Sequence, residues 1–155
     1  MSALTLLDRV HHVILETFVS RGNAPHPAEL AASLGVPPAE GRRLLHELAA
    51  AGLPIWLQPG TDLIASCAPF NEVPTPYRVS VDGRPGWFAQ CGFESLAVSW
   101  VFPGRTIQID ASCLHSGEPM RVAVRDGVLE RTEPAEMVCY VDLPFREWAR
   151  SWPDT

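Results

Sequence analysis

The central segment of the predicted fold is Cys91-Gly92-Phe93-Glu94-Ser95-Leu96-Ala97-Val98-Ser99-Trp100-Val101, residues 91–101. Its pattern predicts a helix from about Gly92 to Val101. Segments with the alternation and turn residues typical of strands lie on both sides of it. They predict strands over Tyr77–Val81, Thr106–Ala111, Met120–Val124, Val128–Arg131 and Met137–Leu143. The sequence therefore predicts an α+β fold in which a small mixed or antiparallel sheet surrounds one helix.

The first third of the chain has a different pattern, with apolar residues at helical spacing. It predicts helices over Thr5–Arg21, Pro27–Leu34 and Pro38 to about Ala51, followed by strands at Ile55–Leu57 and Leu63–Ala65. Three helices and a two-stranded wing are typical of a winged-helix domain. We therefore expect a winged-helix-like domain over residues 1–66, a proline-containing linker without regular structure over 67–76, and an α+β domain over 77–155.

A short terminal helix is expected over Pro144–Trp152. Its aromatic residues Phe145, Trp148 and Trp152 fall along one helical face. Such a face most often covers the core of its own chain, and a homodimer contact is the alternative.

The composition excludes several classes of protein. A net charge of -6 and a pI near 5.3 argue against a DNA-binding protein and against binding to an anionic membrane. All 12 basic residues are Arg, which excludes Schiff-base lysine chemistry and a P-loop. No signal peptide or membrane-spanning run is present, and the four cysteines are widely spaced, so we expect free thiols in a reducing cytoplasm.

Cys91 and Glu94 are the candidate catalytic residues. They lie one helical turn apart, so a thiol and a proton-transfer group point in the same direction. The start of a helix favours a thiolate, and we expect the pKa of Cys91 to fall. Burial would raise the pKa of Glu94 and keep it partly protonated. The alternative is structural: Cys91 as a small core residue and Glu94 as a carboxylate that stabilises the first turn.

Cys113 is the candidate second thiol, in a turn between two strands and two residues before His115. A metal site would then contain Cys91 and Cys113. Structural zinc prefers four ligands in closely spaced pairs, whereas two thiolates suit a softer ion. No resident cofactor is required, and mercury, copper or zinc is the soft ion to expect. The other four histidines have no metal-ligand spacing with the cysteines, and we expect no function for them; they are His11, His12, His26 and His46.

Residues 75–144 resemble the alkylmercury (organomercurial) lyases. The central matching run is Trp87-Phe88-Ala89-Gln90-Cys91-Gly92-Phe93-Glu94-Ser95-Leu96. Further runs are Thr75-Pro76-Tyr77 through Val81-Asp82, Gly104-Arg105-Thr106, Ser112-Cys113, Ser116-Gly117-Glu118-Pro119 and Glu133-Pro134-Ala135-Glu136-Met137. The family also begins with a winged-helix-like helical domain, so the resemblance extends over nearly the whole chain.

The resemblance implies a mechanism. In the family, the cysteine matching Cys91 binds mercury, an acid three residues later transfers the proton to carbon, and a second cysteine near the carboxyl terminus completes the site. The cysteine matching Cys113 is regarded as structural. This chain has Glu94 where the family normally has Asp, and it ends at Thr155 before the region of the second catalytic cysteine. Neither Cys113 nor Cys139 is at the matching position.

Three hypotheses follow from these observations. The first is a lyase-like enzyme that uses Cys91 and Glu94, with Cys113 or Cys139 as second thiol, on an organometallic or another small molecule that is protonated at carbon. The second is a non-catalytic protein that binds a soft metal or small ligand. The third is a winged-helix transcriptional regulator whose second domain senses a ligand, against which the low basic charge counts.

Overall fold

The computed structural model describes residues 5–140, 144 and 147. These residues include four helices: α1 Leu6–Arg21, α2 Pro27–Leu34, α3 Pro38–Ala50 and α4 Gly92–Val101. The described part of the chain also contains eight strands: β1 Ile55–Leu57, β2 Ile64–Cys67, β3 Phe70–Asn71, β4 Arg78–Val81, β5 Arg84–Ala89, β6 Ile107–Ser112, β7 Pro119–Arg125 and β8 Val128–Glu133. Within the described ranges, no helix is both long and apolar enough to cross a bilayer.

The strands form one sheet in the order β1-β2-β3-β5-β4-β6-β7-β8, and every neighbouring pair is antiparallel. Helix α4 packs against β3, β5, β6 and β7. It buries Ser95, Val98 and Ser99. The predicted α+β class is therefore confirmed, and the sheet is antiparallel and larger than the sequence predicted because the strands of the amino-terminal third belong to it.

Local sequence explains where the amino-terminal helices begin and end. The Thr5 hydroxyl accepts a hydrogen bond from the Asp8 backbone, and the Asp8 carboxylate accepts one from the Thr5 backbone, which starts α1. Gly22 ends the same helix in the left-handed conformation. The three predicted helices and the β1–β2 hairpin are confirmed, while the winged-helix assignment stays a prediction.

The structure corrects the sequence analysis in three segments. Strand β3 lies within the predicted linker, where Cys67, Phe70 and Asn71 are buried. Strand β5 was not predicted, because Pro85 and Gly86 argue against a strand. Residues 137–140 form no strand. The rest of that predicted strand lies outside the described residues, as do the aromatic side chains of the expected terminal helix. The division into domains at residues 67–76 stays a prediction.

One hydrophobic core joins the helices to the sheet. The rings of Phe18 on α1 and Phe70 on β3 stack at 5.2 Å between centroids. Phe102, at the end of α4, meets Phe70 at 6.4 Å and Trp87 of β5 at 5.1 Å, both edge to face. The Trp87 indole also donates a 2.7 Å hydrogen bond to the Phe18 carbonyl. Helix α1 is therefore fixed to the strand that leads into α4.

Candidate active site

The turn from β5 into α4 is held by hydrogen bonds on both sides. The Thr75 hydroxyl donates to the Ala89 carbonyl at 2.7 Å, and the Ala89 amide donates to the Tyr77 carbonyl at 3.0 Å. The Gln90 amide donates to the Pro69 carbonyl at 3.2 Å. Cys91 follows in an extended conformation as the residue that begins α4. These contacts give the start of α4 a fixed position at the end of β5, which is an interior strand of the sheet.

Cys91 is half-buried at this helix start. Burial raises the pKa of its thiol, and the charges of Glu94 and Cys139 act in the same direction. The backbone amides of Glu94 and Phe93 lower the pKa, as expected at a helix amino terminus, but they do not outweigh burial. The expectation that the Cys91 pKa falls is therefore wrong in direction, because it left out the cost of burying the thiolate.

Glu94 is also half-buried, and burial raises the pKa of its carboxyl group to about 7. This agrees with the expectation from the sequence. A carboxyl group with such a pKa is protonated in a large fraction of molecules at neutral pH, so it can donate a proton as an acid. The Glu94 charge also acts on Cys67: burial, and after it this charge, raises the pKa of the Cys67 thiol to about 12. Cys67 is therefore a neutral thiol in the core.

The sulfur of Cys139 lies over the start of α4. A Cβ atom built on Gly92 would be 3.2 Å from Cys139 Sγ and 3.6 Å from the Tyr77 hydroxyl oxygen. The pKa of Tyr77 is raised by burial and then by the charges of Cys139 and Cys91. Cys139, Cys91 and Tyr77 therefore surround one small region, which is open because residue 92 has no side chain.

Cys113 lies in the β6–β7 turn, as predicted, and its backbone forms hydrogen bonds within that turn. Its amide donates to the Glu118 carbonyl at 2.8 Å, and its carbonyl accepts from the Gly117 amide at 2.8 Å. The Ser116 hydroxyl and the backbone amides of Ser116 and His115 lower the pKa of the Cys113 thiol. The site composed of Cys91 and Cys113 stays a prediction. Within residues 5–140, 144 and 147, no three His, Cys, Asp or Glu side chains are grouped as metal ligands.

Sequence reasoning left out two polar residues that contact Glu94 directly or through a neighbour, namely Gln90 and Ser66. The Gln90 amide lies between the Glu94 carboxyl group and the Ser66 hydroxyl. Ser66 is fully buried on β2. Gln90 could have been suspected from its place directly before Cys91. Ser66 is 25 residues before Cys91 in a different predicted domain, and only the shared sheet brings it close.

The fold and the site define a class of protein: an α+β fold with an antiparallel sheet, in which the start of one helix carries a thiol and a half-buried carboxylic acid. Comparison with known proteins gives the family. Residues 70–153 match the sequence profile of MerB, alkylmercury lyase. The chain therefore belongs to the alkylmercury lyase family.

Individual relatives agree with this assignment. The chain is 32% identical over 75 residues to the alkylmercury lyases of Bacillus cereus and Clostridium butyricum. The matched region is 46% of this chain and 32% of each relative, so the chain spans about a third of the length of the curated relatives it matches. The fold is similar to the crystal structure of the mercury-bound form of MerB2, with a TM-score of 0.58 at 23% identity. That likeness covers 83% of this chain and 67% of the other chain.

Proposed function

We propose that the protein cleaves the carbon–mercury bond of organomercurials by protonolysis. Cys91 is the first mercury ligand, Cys139 is the second, and Glu94 is the acid that protonates the carbon. The observation that carries this proposal is the meeting of two thiols and a carboxyl group with a pKa of about 7 at the start of α4. Membership of the alkylmercury lyase family supports the reaction type.

The proposed reaction begins when the Cys91 thiol releases its proton to water and its sulfur binds the mercury of R–Hg⁺. Cys139 then releases its own proton to water and binds the same mercury as a thiolate, which places more negative charge on the metal and weakens its bond to carbon. Glu94 transfers its carboxyl proton to that carbon. The electron pair of the carbon–mercury bond forms the new C–H bond, R–H leaves, and Hg²⁺ stays on two thiolates beside the Glu94 carboxylate. No atom changes oxidation state, and no external reductant is needed.

The raised thiol pKa of Cys91 is compatible with this sequence of steps. A thiolate is the form that binds metal, and a soft ion such as mercury displaces the thiol proton on binding. The amides of Phe93 and Glu94 stabilise negative charge on the sulfur during that step. The raised pKa of the free Cys91 thiol therefore does not prevent its sulfur from binding mercury.

Cys139 is proposed as the second thiol in preference to Cys113 because of its neighbours. Its sulfur is close to Gly92, and its charge raises the Cys91 pKa. The Cys113 thiol interacts instead with Ser116 and His115 of its own turn. The prediction that Cys113 binds the metal is tested in the same experiment, with one Cys→Ser variant for each residue.

The test is a single-turnover reaction of reduced protein with phenylmercury in D₂O, in which mercury bound and benzene released are both measured. We expect wild-type protein to release benzene with one deuterium, and Cys91→Ser and Glu94→Gln to release none. Cys139→Ser should slow release by at least about tenfold, and Cys113→Ser should be compared beside it. Mercury bound without benzene in wild-type protein would contradict the proposal and leave a soft-metal binding protein.

A further inference from the structure

The side-chain amide of Gln90 forms a bridge between Glu94 and Ser66. One terminal atom of the amide lies within hydrogen-bonding distance of both carboxyl oxygens, 3.2 Å from Oε1 and closer to Oε2. The other terminal atom is 3.0 Å from the Ser66 hydroxyl oxygen. Ser66 is 0% exposed, and its hydroxyl lies 3.1 Å from the Phe70 carbonyl oxygen. The chain Glu94–Gln90–Ser66–Phe70 therefore runs from the proposed acid into the core.

This bridge can satisfy Glu94 in both of the forms that protonolysis requires. Amide nitrogen and oxygen have nearly the same shape, so the hydrogen-bond partners determine which of them faces Glu94. When Glu94 is a carboxylate, the Gln90 nitrogen donates to both of its oxygens, and the Gln90 oxygen accepts from Ser66. When Glu94 is an acid, it donates to the Gln90 oxygen, the Gln90 nitrogen donates to Ser66, and Ser66 donates to the Phe70 carbonyl.

Passing between the two arrangements requires only a half-turn of the amide and a rotation of the Ser66 hydroxyl. No proton leaves Gln90 or Ser66. Among Glu94, Gln90 and Ser66, only Glu94 gives up a proton, and the carboxylate left behind gains two hydrogen bonds from the Gln90 amide. A half-buried carboxyl group without such a partner would be free to rotate between several positions, and a misplacement of about 1 Å can cost about a hundredfold in rate.

We propose that Gln90 is a positioning residue that holds the Glu94 carboxyl group toward the mercury-bound carbon, and that Ser66 anchors Gln90. The inference rests on the proposed protonolysis and adds to it a support that reaches Glu94 from β2, on the far side of the turn. The Gln90 backbone amide contributes separately, through its bond to Pro69. A side-chain substitution therefore leaves that backbone contact in place.

The test uses Gln90→Met, which keeps the length of the side chain and removes both hydrogen-bonding atoms. Single-turnover benzene release is measured over a range of phenylmercury concentrations, together with mercury bound per chain. We expect the maximal rate to fall about 10- to 100-fold, while mercury binding and the half-saturating concentration stay as in wild type. Ser66→Ala should lower the maximal rate in the same way by a smaller factor, and it tests the bridge independently if Gln90→Met does not fold.

Gln108→Met is the matched control, since it removes a glutamine hydrogen bond from β6, where the partner is Asp110 at 2.8 Å. Its rate should equal that of wild type. Wild-type rates in Gln90→Met and Ser66→Ala, with active wild-type protein, would overturn the positioning role and leave the proposed function standing. A wild-type protein that releases no benzene would instead contradict the proposed function, and the positioning role would fall with it.

Discussion

Glu94 combines a chemical advantage with a cost in stability. Burial raises its pKa from 4.5 to about 7, so the folded protein favours the protonated form. At a pH between these two values, the unfolded chain ionises this group and the folded chain does not. Folded stability is therefore fully retained below the unfolded pKa of 4.5, and it declines as pH rises to about 7. A residue that does not ionise at this half-buried position would avoid this loss of stability.

Glu94→Gln should remove this loss. We expect the free energy of unfolding of wild-type protein to fall by up to about 3 kcal/mol more than that of Glu94→Gln between pH 5 and pH 8. Urea unfolding at both pH values measures the difference for each protein, and other titrating groups cancel in the comparison. Equal pH dependence in the two proteins would show that the carboxyl group is not shielded from water.

The rate of protonolysis should depend on pH in the same direction. The acid form of Glu94 donates the proton, so its fraction falls as pH rises through about 7. We expect the rate of benzene release from the preformed phenylmercury complex to decrease about tenfold for each pH unit above that point. Stopped-flow mixing of the complex into buffers of pH 6 to 9 measures it. A rate that increases with pH would contradict proton donation by Glu94.

Among the helices and strands, α4 has the bounds that the sequence predicted, because both its apolar pattern and its first residues indicate a helix that begins at Gly92. It did not predict β5, in which Pro85 and Gly86 are tolerated where the β4–β5 register shifts. The candidate acid and first thiol could be named because they share one helical turn. The sequence left Cys113 and Cys139 as alternatives for the second thiol, because spacing alone does not show which loop lies near Cys91. Ser66 could not be placed near Glu94, because only long-range strand pairing brings the two together.

Gly92 shows how the start of α4 makes room for the second thiol. A Cβ atom there would be 3.2 Å from Cys139 Sγ, closer than most such contacts. We expect Gly92→Ala to displace Cys139 and to slow benzene release by roughly three- to tenfold, while stability is unchanged or slightly higher because alanine favours helix. Thermal unfolding and single-turnover rates measure the two effects.

Gly86→Ala is the control for that substitution, since a Cβ atom on Gly86 meets nothing within 4 Å. Its rate should match wild type. If Gly92→Ala releases benzene as fast as wild type, the position of Cys139 beside residue 92 is not required for the reaction.

At the scale of the whole molecule, the amino-terminal helices support the strand that carries the site. Besides the Trp87–Phe18 bond, the Ala24 amide donates to the Glu72 carboxylate at 2.6 Å. Gly22 lies directly against β5: a Cβ atom there would be 2.3 Å from the Gly86 carbonyl oxygen. The end of α1 and the strand leading to Cys91 therefore touch through their backbones.

Gly22→Ala should destabilise the protein beyond the cost of its left-handed conformation. Gly52→Ala is the matched control, with φ +80 against φ +81 for Gly22 and nothing within 4 Å of its Cβ position. Both substitutions carry a backbone cost of about 1 kcal/mol. We expect Gly22→Ala to lose about 2 kcal/mol more in urea unfolding. Equal losses would mean that α1 and β5 are not in contact.

The proposed pair of mercury-binding thiols is tested most directly by counting the sulfur ligands on the mercury that remains after phenylmercury has been cleaved. X-ray absorption at the mercury edge counts these ligands, in protein from which all added thiol reagents have been removed. We predict two sulfur ligands in wild-type protein and in Cys113→Ser, and one in Cys139→Ser. A single sulfur ligand in wild-type protein would contradict the assignment of Cys91 and Cys139 as the mercury-binding pair. The assignment would also be wrong if Cys113→Ser lost a sulfur ligand and Cys139→Ser kept both.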